Sequence, residues 1–232
     1  MSYLYLRLCG PLQSWGSHSL FWHRETGFFP TKSGVIGMIF CAMGKGGSQE
    51  ADLASIAALP QKAFQISDQI SSPVLTDFHM VGGGYDEDDP WELECIPKTS
   101  LGKKAVNGGA KLTRRDYLQN AKFAVIQAIP KAWEEAVVKA FQEPVWDIYL
   151  GRKCCAPSLP VFGGIFESED AALNALKAEV SSVYGDGNQL VAVWEEVPMQ
   201  TEGSMTLADV PVAFGKRKRY KQRTVKFKSL VE

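Results

Sequence analysis

From the N-terminus, Tyr3 to Leu8 (YLYLRL) is a β-rich run closed by Gly10-Pro11, which predicts a first strand. A loop rich in aromatics follows. FFPTKSG then sets Pro30, Thr31 and Ser33 ahead of the apolar run Gly34 to Met43, predicting a buried helix N-capped by Thr31 or Ser33 and ended by Gly44 to Gly47. Ala51 to Leu59 predicts a short helix stopped by Pro60. Phe64 to Ile70 and Val74 to Met80 read as two strands divided by Ser71-Ser72-Pro73 and closed as a pair by Gly82-Gly83-Gly84.

The interval Gly82 to Thr113 is polar, glycine-punctuated and highly charged, too long for a plain connection, and reads as a protruding arm. Tyr117 to Ile129 alternates apolar and polar residues in its middle, as a half-buried strand does. Pro130 then opens KAWEEAVVKAFQ, whose Trp133, Val137 and Phe141 form a core-facing stripe. Trp146 to Leu150 predicts a strand leading into GRKCCAPSLP, and Ser168 to Val180 an alanine-rich helix. Leu190 to Trp194, Val210 to Phe214 and Tyr220 to Phe227 predict closing strands. The order β, α, β, β, arm, β, α, β predicts an elaborated α+β fold of the ferredoxin-like kind, with an antiparallel sheet and a β-rich C-terminal part. On this reading residues 1–232 are one domain, with 82–113 as the arm and 187–232 as a basic extension.

Composition changes the picture little: 45% apolar and 22% charged residues are ordinary for a globular chain. Arg7 and Gly10-Pro11 break the N-terminal apolar run before a signal core, so no export is expected. The longest apolar stretch, Gly34 to Met43, is about half of the roughly 20 residues a membrane span requires. Five cysteines without a CxxC pair, beside three histidines, support neither a disulfide framework nor a zinc site, and fit reduced thiols in the cytoplasm.

Charge changes it more. Lys216 to Lys228 holds eight basic residues and no acid; taking those eight from 25, and Glu232 from 26 acids, leaves residues 1–215 with 17 basic against 25 acidic. A basic end on an acidic body favours a polyanionic partner. Lys98 to Lys122 has seven Lys or Arg against one acid, Asp116, just after the acidic run Asp86 to Glu94.

Other chemistries fail on spacing. Six residues separate Gly37 from Gly44 where a phosphate loop has four, and Lys45 is followed by glycine. His18, His23 and His79 show no metal-ligand or triad spacing, although an RNA-cutting histidine at His18 or His23 stays open. The acidic run lacks the plan of a calcium loop. No metal or cofactor is expected. Aromatics interleave with cations in the first loop (Trp15, Trp22, Arg24, Lys32) and in the basic end (Tyr220, Phe227), as single-stranded nucleic-acid binding requires.

LYLRLCGPLQSWG (Leu4 to Gly16) followed by FPTKSGVIGMI (Phe29 to Ile39) resembles the CasD family of Cascade subunits, in the RAMP superfamily of CRISPR-associated proteins. DYLQNAKFAV, YLGRKCCAPSLP, and DVPVAF with RYKQRTVKF agree in order. The resemblance implies a ferredoxin-like domain with a protruding thumb that binds the 5′ handle of crRNA, contacts the first backbone subunit and the large subunit, and reaches target DNA through the complex, with no membrane. Relatives that cut repeat RNA use a tyrosine after the first helix with a lysine and a histidine. Here GMIFCAMGKGG has no tyrosine and no Lys-His pair occurs, which favours the non-catalytic role. The expected handle-binding residues are Arg24, Lys32 and Ser33 at the first loop and helix start, Arg114 and Arg115 in the arm, and Arg152 and Lys153 in the GRK segment. Arg217, Arg219 and Arg223 of the basic end complete the set.

Overall fold

The computed structural model describes residues 1–16, 22–67, 73–81 and 111–231. Its main sheet has seven strands in the order β10-β11-β9-β4-β7-β1-β8, every neighbouring pair antiparallel. Along the chain these are β1 (Ser2–Cys9), β4 (Gln61–Ser67), β7 (Lys122–Ile129), β8 (Phe162–Phe166), β9 (Gln189–Val197), β10 (Ser204–Ala213) and β11 (Arg219–Ser229). Helices α1 (Lys32–Ala42) and α2 (Glu50–Ile56) lie between β1 and β4 in the chain; α3 (Glu134–Gln142) joins β7 to β8, and α4 (Glu169–Tyr184) joins β8 to β9. A smaller sheet runs β2 (Leu12–Gln13), β6 (Lys111–Gln119), β3 (His23–Arg24), with β5 (Val74–Val81) also on β6.

Alternation along β1 explains the layering. Leu4, Leu6 and Leu8 enter one core with Val35, Ile36 and Ile39 of α1 and Val137 of α3, whereas Tyr5 enters a second with Ala172, Leu176 and Val180 of α4. Helices therefore cover both faces, and β7 is buried along seven of its eight residues. Thr31 is the N-cap of α1, its hydroxyl accepting from the Gly34 amide at 3.3 Å. Val137 is fully buried while Trp133 and Phe141 pack against the same core.

Several expectations are corrected. Tyr117–Ile129 is two strands, not one half-buried strand: Asn120, at φ 49°, turns the chain between β6 and β7. The strands around Ser71-Ser72-Pro73 are not partners, since β4 pairs with β7 and β9 while β5 pairs with β6. Gly82 to Gly84, and the arm residues up to 110, lie outside the described residues. Trp146 to Leu150 is irregular; the Leu150 carbonyl accepts from the distant Ser14 amide, and its own amide donates locally to the Cys155 carbonyl. The strand beside β1 is β8 (FGGIF), whose two glycines disguise it. Gly163 is there for packing, because a Cβ would overlap the Tyr5 ring.

Candidate functional site

The GPLQSWG segment fastens the small sheet to the large one. Gln13 is fully buried, its amide nitrogen donating to the carbonyls of Leu8 (2.9 Å) and Ala121 (2.6 Å), while its oxygen accepts from the Trp15 indole at 3.1 Å. Trp15, read from sequence as a nucleic-acid-facing aromatic, is a core residue at 1% exposure. The Ser14 amide donates to the Leu150 carbonyl at 3.0 Å, which brings the GRK turn against β6. Gly151 holds that turn at φ 98°, where a Cβ would overlap the Ser14 carbonyl oxygen.

Arg152 joins three segments. Its guanidinium donates to the carbonyls of Asp116 (3.0 Å), Arg24 (2.7 Å) and Glu25 (3.4 Å), and lies 4.7 Å from the centre of the Tyr117 ring. Its two terminal nitrogens are thus spent on backbone. It is a positioning residue that ties β3 and β6 to the GRK turn, beside the exposed Lys153.

Strand β3 runs parallel to β6, with His23 opposite Arg114 and Arg24 opposite Arg115. His23 Nε2 and Asp116 Oδ2 are 2.8 Å apart, and Thr76 donates to Asp116 Oδ1 at 2.8 Å. The Arg114 guanidinium lies 5.8 Å from the centre of the Trp22 ring. By cross-strand register Thr76, Phe78 and Met80 share a face with Asp116, Arg114 and Leu112. That face is apolar yet open: Phe78 is 63% exposed, Met80 59%, Trp22 56% and Leu112 49%. Arg24 and Arg115, paired with each other and alternating with His23 and Arg114, point to the opposite side of the small sheet, where the Arg115 Nε is buried without a hydrogen-bond partner.

The sequence reading sets Arg24 with Lys32 and Ser33, and Arg114 with Arg115 and Arg152 with Lys153 as separate elements; the structure instead brings Arg24, Arg114, Arg115 and Arg152 together and leaves Lys32 and Ser33 apart. The sequence reading misses Phe78, Met80 and Leu112, because nothing in VLTDFHMV shows that the apolar side of the strand stays uncovered.

Lys32, Ser33 and Arg223 stand elsewhere. Lys32 is 1% exposed; its amine donates to Glu196 at 2.8 Å and its backbone N–H to Asp209 at 2.8 Å. Burial pushes that amine below the ordinary lysine value, against the pull of Glu196. Arg223 grips Asp209 with two 2.7 Å bonds and reaches Glu196 at 3.0 Å. The α1 N-terminus, expected to receive a phosphate, already receives the Asp209 carboxylate. Lys32 and Arg223 are therefore structural cations, and half-buried Ser33 lies beside them. Arg217 and Arg219 are exposed at the β10–β11 turn, with Arg219 2.9 Å from Glu50.

His79 is 4.0 Å from Asp77 and His18 lies outside the described residues. Among the described residues, no three His, Cys, Asp or Glu side chains converge as a metal site requires, and no helix is long and apolar enough to cross a membrane.

Fold and site together define an α+β protein whose antiparallel sheet carries a small side sheet with an exposed aromatic and arginine face. The family described as CRISPR-associated protein (Cas_Cas5) matches residues 3–226, and the chain belongs to that family. The CRISPR system Cascade subunit CasD of Escherichia coli (strain K12) is 32% identical over 177 residues, covering 73% of each chain. A solved structure described as a CRISPR RNA-guided surveillance complex contains a similar chain, at TM-score 0.73 and 27% identity, covering 98% of this chain and 89% of that one. Another, described as a Cas protein, gives TM-score 0.63 and 26% identity over 98% and 94%.

Proposed function

We propose that this chain is a non-catalytic subunit of a CRISPR RNA-guided complex that binds the 5′ handle of the guide RNA. The observation that carries this reading is the open face of Trp22, Phe78, Met80 and Arg114, with Arg24 and Arg115 on the other side of the same small sheet and the exposed Lys153 on the adjoining turn. Single-stranded RNA is held by such a combination, its splayed bases stacking on aromatic and guanidinium planes and its phosphates meeting arginine and lysine. Membership of the family, and likeness to a chain named as a Cascade subunit and to one in a surveillance complex, support the setting. The order β4-β7-β1-β8, with α1 and α3 in the crossovers, supports a ferredoxin-like core. Neighbouring backbone and large subunits are the protein partners, and the cytoplasm is the location.

Filter binding of handle RNA to the purified chain tests the reading. Arg114→Ala and Arg115→Ala should each weaken binding by roughly tenfold to a hundredfold, about 1 to 3 kcal/mol, the range for bonds to ionised groups. The log-log salt slope should become shallower by about 0.7 per phosphate lost. Lys177→Ala on α4 is the control. Variants that bind like this control would overturn the site, and RNA that the wild type does not bind would overturn the function.

The 2.8 Å pairing of His23 with Asp116 beside Arg114 favours one second reading, a metal-independent endoribonuclease cutting repeat RNA. A discrete product in EDTA that vanishes in His23→Ala would establish it.

A further inference from the structure

The basic end of the chain is a rigid ribbon, not a tail. Beyond Val197, which pairs with Thr224, β11 continues to Arg219 bonded only to β10, and the two strands turn through Gly215 to Lys218. The buried bonds of Arg223 to Asp209 and Glu196 lock the ribbon, and Phe214 ties its turn to Ser48 through a 3.0 Å backbone bond. Lys216, Arg217, Lys218 and Lys221 are exposed and, among the described residues, have no ion-pair partner. Lys216, Arg217 and Arg219 also line a hollow of about 500 Å³ with Gly47, Ser48 and Phe214.

Register places this turn far from the end of the sheet where β6 joins β7. One cross-strand row joins Phe123, Gln65, Ala192 and Ser229, at the end of the sheet where β6 passes into β7. Arg219 stands roughly ten residues along β11 from that row, on the order of 30 Å at strand rise, and three strands across from β7. The turn therefore belongs to a different contact from Arg114 and Arg115. Its chemistry differs as well: it presents a row of cations, and of the two rings nearby Phe214 is partly buried against the core while Tyr220 is 42% exposed. Single strands are gripped through their bases, whereas a duplex hides its bases and offers rows of phosphate, about one charge per 1.7 Å of axis.

We propose that the β10–β11 turn, through Lys216, Arg217, Lys218 and Lys221, is a second polyanion-binding surface that contacts the backbone of double-stranded DNA without reading its sequence. This assignment is independent of the handle reading and removes Arg217 and Arg219 from the handle site.

The test uses the full-length chain, a labelled DNA duplex of arbitrary sequence and a single-stranded RNA of equal length. The Lys216→Ala, Arg217→Ala, Lys218→Ala triple variant should lose about tenfold or more of its duplex affinity, with a salt slope shallower by about 2 to 3 units, at about 0.9 per phosphate. Its RNA affinity should hold, and an unchanged melting curve shows that the fold does. The Arg114→Ala, Arg115→Ala variant should retain duplex binding, whatever becomes of its RNA binding. Unchanged duplex binding by the triple variant, equal loss of RNA and duplex, or a wild type that ignores duplex overturns the proposal, the last leaving the turn to an acidic protein partner.

Discussion

At the residue scale, two arginines of similar appearance in the sequence have opposite duties. Arg114 is exposed beside Trp22, whereas Arg223 is locked by two 2.7 Å bonds to Asp209. Asp209 serves the α1 N–H, the Arg223 fork and, through them, the join between the basic ribbon and the core. Removing it leaves two buried cations, Lys32 and Arg223, to share the single carboxylate of Glu196. Asp209→Ala should therefore cost about 3 to 5 kcal/mol in urea unfolding, since the loss of one partner leaves an uncompensated buried charge. Asp209→Asn, which keeps an acceptor for the helix N–H, should cost less. Equal midpoints for wild type and alanine variant would show that the network contributes no stability.

At the element scale, α4 seals the sheet face that β1 presents through Tyr5 and Arg7. Arg7 grips Glu179 with bonds of 2.8 and 2.6 Å, and the Tyr5 hydroxyl lies 3.2 Å from the same carboxylate and 3.1 Å from the Tyr184 hydroxyl. Burial pushes the Tyr5 hydroxyl up to about 12, so it stays protonated across the working range. The Arg7 bond holds the Glu179 carboxyl below its ordinary value of 4.5. A carboxylate depressed by folding adds stability that is complete above its unfolded value and is lost as pH falls through the folded one. The melting temperature of the wild type should thus fall as pH drops from about 5 toward 3, and Glu179→Gln should flatten part of that fall. Glu195, held down by Lys228, keeps a share of it. Identical pH profiles would show that the α4 clamp is not electrostatic.

At the scale of the whole molecule, the net charge of −1 conceals two separate cationic surfaces, one beside β3 and β6 and one at the β10–β11 turn. Sites this far apart should act independently. Combining the arm and turn substitutions should reproduce each parent's loss for each nucleic acid, additive within about 0.3 to 0.5 kcal/mol; a larger deviation would mean a shared surface. The sequence by itself determined what depends on local pattern: β1, α1 with its Thr31 cap, and the Trp133, Val137 and Phe141 stripe. Each rests on spacing or capping over a few residues, where periodicity and backbone preference act. Only tertiary structure decided that Lys32 is structural, because Glu196 lies 164 residues away in the chain. The same holds for the turn at Asn120 that divides β6 from β7, for the separation of β4 from β5, and for the exposure of Phe78 and Met80. Those outcomes follow from which distant strand or carboxylate each segment meets, and neither propensity nor charge count along the chain encodes that meeting.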